Sequence, residues 1–225
     1  MDLNVKVAVR CRPMSQRELS RGCQTIVTMQ GQSVSVAAPG DPSATPKAFT
    51  FDHCYYTDST QEQVYADIGG PVVAQALEGF NGTIFAYGQT GSGKSWSMMG
   101  NELDPTHRGV IPRLNDDLWT QLRAKIAALN SSSSSSSGAA DAAATGPGNH
   151  SAEPPNETKF LITASFLEIY NEEIKDLLNP AAAAAPGAKQ TKKLKIRESP
   201  ELGIYVEVHI SSLPLSCRIC VEPVI

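Results

Sequence analysis

Gly88-Gln89-Thr90-Gly91-Ser92-Gly93-Lys94-Ser95 satisfies the spacing G-x-x-x-x-G-K-[ST], and the fold is read outward from it. Glycines permit backbone conformations that a side chain forbids, so successive N–H groups can converge on phosphate oxygens. Lys94 supplies a point charge for the outer phosphates, and the Ser95 hydroxyl is the candidate ligand for Mg²⁺. The spacing alone also fits a glycine-rich surface turn. Context argues against that: Thr83-Ile84-Phe85-Ala86-Tyr87 predicts a strand running into the loop, and a helix is expected to start near Lys94. A helix beginning there adds its N-terminal dipole to the site. Several charge-assisted hydrogen bonds, each about 1.5–3 kcal/mol, together suffice to hold a nucleotide.

Before the loop, Val5 to Arg10 alternates apolar and polar residues, as a strand with one buried face does. Thr25 to Met29 and Ser33 to Ala37 flank Gly31-Gln32 and predict a hairpin, with a short strand at Phe49-Thr50-Phe51. Ser59 with Glu62 suggests a capping box. Val64, Ile68, Val72 and Ala76 follow at helical spacing, and Gly69-Gly70-Pro71 predicts a kink or break. After the loop, a helix is expected over about Leu114 to Leu129, a strand within Phe160 to Tyr170 and a short helix over Asn171 to Leu178. Leu194 to Glu198 and Ile204 to Ile210 read as a strand pair around Gly203. Alternating strands and helices place the chain in the α/β class, helices packed on a sheet.

Two stretches break this pattern. Residues 130–158 contain an unbroken serine tract, Ser131 to Ser137, and too little apolar surface to offset chain entropy, so they predict a disordered insertion. Pro180, the alanines after it and Pro186-Gly187 predict a flexible loop over 179–190. The formal charge of −4 argues against a general nucleic-acid binder. The five cysteines are odd in number and scattered, unlike a secreted disulfide framework. Cys217-x-x-Cys220 lacks the further ligands that structural zinc needs. No secretory signal and no apolar run of about 20 residues is present, so the chain reads as cytosolic, without a membrane partner.

Around the loop the sequence resembles the kinesin motor domain. The run Gly79 to Tyr87 followed by the loop is similar to the family's P-loop strand almost residue for residue. Arg10-Cys11-Arg12-Pro13 matches R-x-R-P, Phe49 to His53 resembles F-x-F-D, and Gly109 to Arg113 matches G-I/V-I-P-R. Ser165 to Glu172 matches S-Y/F-L-E-I-Y-N-E, and Ile196 to Glu198 with Gly203 to Val206 resembles the next hairpin. Glu18 with Gly22-Cys23 is similar to the chromokinesin-like branch. The resemblance implies a P-loop NTPase motor fold, ATP and Mg²⁺ as cofactors, the microtubule as partner, and the cytoplasm and cytoskeleton as location. It also implies that Arg10 and Pro13 sandwich the adenine, with Trp96 stacked beside the base; for Trp96, a plain packing role is the alternative. Lys189, Lys192, Lys193, Lys195 and Arg197 fall in a segment that the resemblance puts near the microtubule, where a basic patch suits acidic tubulin. A lysine-protected hairpin edge is the rival reading.

After Ile210 the resemblance ends. Beyond that point neither N-x-x-S-S-R-S-H nor D-x-x-G, the switch motifs, appears. The expectation is therefore a partial motor domain over 1–210, with an incomplete central sheet flanked by helices, and a divergent tail over 211–225. The strand entering the P-loop is expected to lack neighbours that the later half of the family's domain supplies. An ATP-dependent microtubule motor, represented by its nucleotide-binding part, is the leading function. A nucleotide- or microtubule-binding module without motor activity is the alternative. No catalytic residue is assigned, because such switches position the attacking water.

Overall fold

The computed structural model describes residues 5–41, 43–134, 162, 164–178, 194–200 and 203–206. The chain divides into two compact units, one of residues 1–82 and 86–115, the other of 83–85 and 116–225.

In the first unit, β1 (Ala8–Arg10) is shorter than the alternation over Val5 to Arg10 suggests. Before it, Val7 contributes its carbonyl to the amides of Asp52 and His53, and its amide to the Asp52 carboxylate at 2.8 Å. That cluster of bonds sets the register in which β1 lies parallel to β5 (His53–Tyr55). α1 (Gln16–Ser20) begins with a capping box: the Ser15 hydroxyl accepts from the Glu18 amide, and the Glu18 carboxylate accepts from the Ser15 amide. β2 (Val27–Gln30) and β3 (Ser33–Val36) form the expected hairpin, turning at Gly31-Gln32 with Gly31 at φ 56°. β4 (Lys47–Thr50) pairs antiparallel with β3, starting two residues and ending one residue earlier than Phe49 to Phe51 implies.

The helical segment after β5 starts one residue later than its predicted box. Thr60, not Ser59, is the N-cap of α2 (Gln61–Val64), and Gln63 completes the box in place of Glu62. The Ser59 hydroxyl is turned away, donating to the Tyr56 carbonyl at 2.6 Å. At Gly69-Gly70-Pro71 the chain neither breaks nor stays regular. One π-helical turn (Tyr65–Gly69), closed by the Gly70 amide on the Tyr65 carbonyl, leads without interruption into α3 (Gly70–Leu77), whose Pro71 lacks the N–H that would continue the ladder. Val64 and Val73 are buried on this segment, with Val34, Tyr55 and Val110 completing the unit's apolar centre. The Tyr55 hydroxyl donates to Asp67 at 2.9 Å.

Residues 83–87, predicted as the strand into the P-loop, form no regular strand and enter none of the four sheets. Their composition suits a strand, but strand geometry is decided by long-range pairing rather than by composition. Phe85 and Tyr87 are correspondingly exposed. α4 (Lys94–Met98) follows the loop, and a 3₁₀ turn (Pro105–His107) precedes α5 (Val110–Ser134).

α5 crosses from the first unit into the second and is longer than predicted at both ends. Pro112 falls in its first turn, which proline tolerates, so the helix starts at Val110. Its far end enters the serine tract, where the Ser131 hydroxyl donates back to the Ala128 carbonyl at 2.9 Å. The predicted insertion thus begins inside a helix, and its remainder, the 179–190 loop, the 211–225 tail and Cys217 and Cys220 lie outside the described residues.

In the second unit, β6 (Leu167–Tyr170) is only the end of the stretch Phe160 to Tyr170 read as a strand, Ala164 to Phe166 lying outside it, and the expected helix over Asn171 to Leu178 is instead β7 (Glu173–Asp176). Asn171 and Glu172 sit at φ 51° and 63°, the two left-handed positions of a tight hairpin turn, and β7 folds back antiparallel with Tyr170 opposite Glu173. β8 (Ile196–Ser199) and β9 (Gly203–Val206) form the predicted pair, with Ser199 opposite Gly203. The expected single sheet is therefore represented, among the described residues, by four small ones.

Candidate functional site

The glycine-rich loop is shaped by three left-handed residues, Gly88, Gly91 and Gly93, at φ 152°, 79° and 103°. Gly93 is the N-cap of α4 and directly precedes Lys94, the first helical residue. A side chain at this φ would be strained even though there is room for it: the nearest atom to a Cβ placed on Gly93 is Arg12 Cβ, at 3.9 Å. The amide of Ser92 closes a turn on the Gln89 carbonyl at 3.1 Å. Lys94 folds back over the loop, Nζ donating to the carbonyls of Gly88 at 2.8 Å and Gln89 at 3.2 Å. An ammonium held against the carbonyls of its own loop stands where an anion drawn into the loop would meet it. Ser95 is exposed beside it at the helix start, and Thr90 is exposed at the turn.

Beside the loop lies a cleft of about 630 Å³ lined by Arg10, Pro13, Gln89 and Ser92, and also by Cys11, Arg12, Glu18 and Tyr56. Two predicted base-binding residues, Arg10 and Pro13, and two loop residues thus share one wall system. Arg10 is not idle there. Its Nη1 donates to Gln61 Oε1 at 2.7 Å and Ser97 Oγ at 3.1 Å, and its Nη2 donates to the Ser59 carbonyl at 3.4 Å. Trp96, also expected at the base, is not among the residues lining the cleft. Its ring packs against His107, centroids 5.4 Å apart, and His107 Nδ1 lies 2.7 Å from Asp104 Oδ2.

Two residues absent from the sequence-based list of binding residues act on the loop. Arg12 donates from Nε to the Gly91 carbonyl at 2.7 Å, and from Nη1 and Nη2 to the two Glu18 carboxylate oxygens at 2.8 and 2.7 Å. A bidentate pair of this kind fixes the guanidinium plane. Hydrogen bonds from Arg12, then from Ser15, hold the Glu18 carboxyl well below the ordinary carboxylate range, and Glu18 in turn raises the pKa of Arg12. The S-x-x-E spacing at Ser15 to Glu18 is a usable signal for this carboxylate. Gln61, which receives Arg10, carries no such signal.

The residues present fit a nucleoside triphosphate with Mg²⁺: a loop conformation that only glycines adopt without strain, a lysine at its mouth, and a hydroxyl at the helix start. The Kinesin motor domain family profile matches residues 10–215. Kinesin-like protein KIF1C of Homo sapiens is 36% identical over 212 residues, which is 91% of this chain and 16% of that protein. Kinesin-like protein KIF1A of Rattus norvegicus is 36% identical over 213 residues, 91% of this chain and 10% of that protein. A solved structure of KIF14 with ADP in complex with a microtubule matches with a TM-score of 0.62 at 30% identity, covering 95% of this chain and 51% of that one. The chain thus spans a small part of the curated proteins that it matches and about half of that solved chain.

Proposed function

Because the chain belongs to the kinesin motor domain family, we propose that it is the ATP-binding part of a microtubule motor. Its cofactors are ATP and Mg²⁺, its partner is the microtubule, and its place is the cytoskeleton of the cytoplasm. Residues 1–210 make up the motor-domain part and 211–225 a divergent tail.

The observation that carries this reading is the loop from Gly88 to Ser95, with α4 starting at Lys94 and Lys94 Nζ 2.8 Å from the Gly88 carbonyl. Loop amides and Lys94 bind the phosphate oxygens. Ser95 offers its hydroxyl to the metal, and Gln89 and Ser92 form the boundary between the loop and the cleft. The cleft receives the base against Pro13 and Arg10. Mg²⁺, when bound, neutralises charge on the terminal phosphates. The KIF14 complex, holding both ADP and a microtubule, supports both ligands for this chain.

A fluorescent ATP analogue titrated into the chain is expected to bind, and Lys94→Ala to weaken that binding by about tenfold or more, as loss of a charge-assisted bond does. Co-sedimentation with microtubules tests the partner. Equal binding of ATP by Lys94→Ala and the unaltered chain would defeat the site assignment. Phosphate release on adding microtubules separates a turning-over motor part from a module that only binds.

A further inference from the structure

We propose that Gln61 is a positioning residue, joining Arg10 at the base end of the cleft to the helix that follows the phosphate loop and so presetting the spacing between the two ends. The inference rests on the nucleotide-binding reading above.

Gln61 is 3% exposed and is the one buried polar or charged side chain among the described residues. Thr60 caps α2, which makes Gln61 the first residue of that helix. Its carboxamide makes three hydrogen bonds. Oε1 accepts from Arg10 Nη1 at 2.7 Å, and Nε2 donates to the carbonyls of Trp96 at 2.7 Å and His107 at 3.2 Å. Only one orientation of the amide suits these partners, since guanidinium only donates and carbonyls only accept. Trp96 is the third residue of α4, directly after Lys94 and Ser95, so the bond to its carbonyl holds the turn that carries both phosphate-site residues. Arg10 reinforces the link by reaching Ser97 of the same helix.

The energetic consequence falls on ligands that span the cleft. ATP contacts both ends, and its affinity depends on their spacing being set before it arrives. Inorganic tripolyphosphate contacts the phosphate end alone. Removing the Gln61 amide leaves Lys94, the loop amides and Pro13 in place but loosens their separation. A residue needed only for folding behaves otherwise: a smaller folded fraction scales both apparent affinities by one factor and leaves their ratio unchanged.

The test is calorimetric titration of ATP and of tripolyphosphate, each with Mg²⁺, into the unaltered chain, Gln61→Met and Gln61→Glu. Gln61→Met removes both halves of the amide, whereas Gln61→Glu keeps an acceptor for Arg10 and removes the donor. In both variants ATP affinity is expected to fall about tenfold and tripolyphosphate affinity to stay within about twofold, the scale of one or two hydrogen bonds. Both ligands weakening together, or ATP binding unchanged, would overturn the positioning role. No ATP binding by the unaltered chain would overturn the nucleotide reading first, and this inference with it.

Discussion

Glu18 illustrates how much one side chain can hold. Its carboxylate receives Arg12 through two bonds, caps α1 through the Ser15 amide, and by fixing Arg12 steadies the Gly91 carbonyl of the phosphate loop. Its folded-state pKa lies below the ordinary 4.5 because of Arg12 and then Ser15. The sign follows from linkage: the stabilisation is complete above that ordinary value and is lost as pH falls from 4.5 toward the depressed one. Asp104 adds to the same acid limb, held down to about 2 by the hydroxyl and amide of Thr106 and by His107. Glu18→Gln is expected to flatten the fall in stability below about pH 4.5 and to lower stability at neutral pH. Denaturant titrations of both proteins between pH 3 and 7 would check this. Parallel curves would show that the Arg12 pair contributes nothing.

At the scale of elements, one helix start and one turn invite measurement. Thr60→Ala removes the hydroxyl that receives the Gln63 amide and should cost about 1 kcal/mol by chemical denaturation. Glu62→Gln should stay within about 0.5 kcal/mol, because Glu62 takes no part in the box that its spacing from Ser59 suggested. The β6–β7 turn carries two non-glycine residues with positive φ. Glu172→Gly converts it to Asn-Gly, the preferred pair for such turns, and relieves a left-handed cost of about 1–2 kcal/mol, partly offset by glycine's freedom in the unfolded chain. Slower amide exchange across β6 and β7 in that variant is the expected result. Faster exchange would mean that the Glu172 side chain contributes more than its backbone geometry costs.

For the molecule as a whole, a nucleotide that binds only the folded chain must stabilise it. At a hundred times its dissociation constant, MgATP should add about 2.7 kcal/mol. Thermal melting with and without MgATP would show a rise that Lys94→Ala reduces, to about 1.4 kcal/mol at the same MgATP level for a tenfold loss of affinity. A rise of equal size in the variant would place nucleotide binding away from the Gly88 to Ser95 loop.

What could be read directly from the amino-acid order was the local chemistry: the phosphate loop, the helix beginning at Lys94, the Gly31-Gln32 hairpin and the β8–β9 pair. Each depends on residues close together in the chain, where glycine conformations, turn residues and periodicity act without help from afar. The region from Asn171 shows the limit, since the hairpin reading needs a left-handed turn at Asn171-Glu172 and extended backbone over β7, which become favourable only when β7 finds β6. Residues 83–87 show it again, having strand composition without forming a regular strand. The tertiary structure alone decided that Gln61 receives Arg10, that Glu18 receives Arg12 and that Trp96 packs against His107. A buried polar group is defined by the partners that surround it, and for Gln61 those partners lie 35 to 51 positions away along the chain.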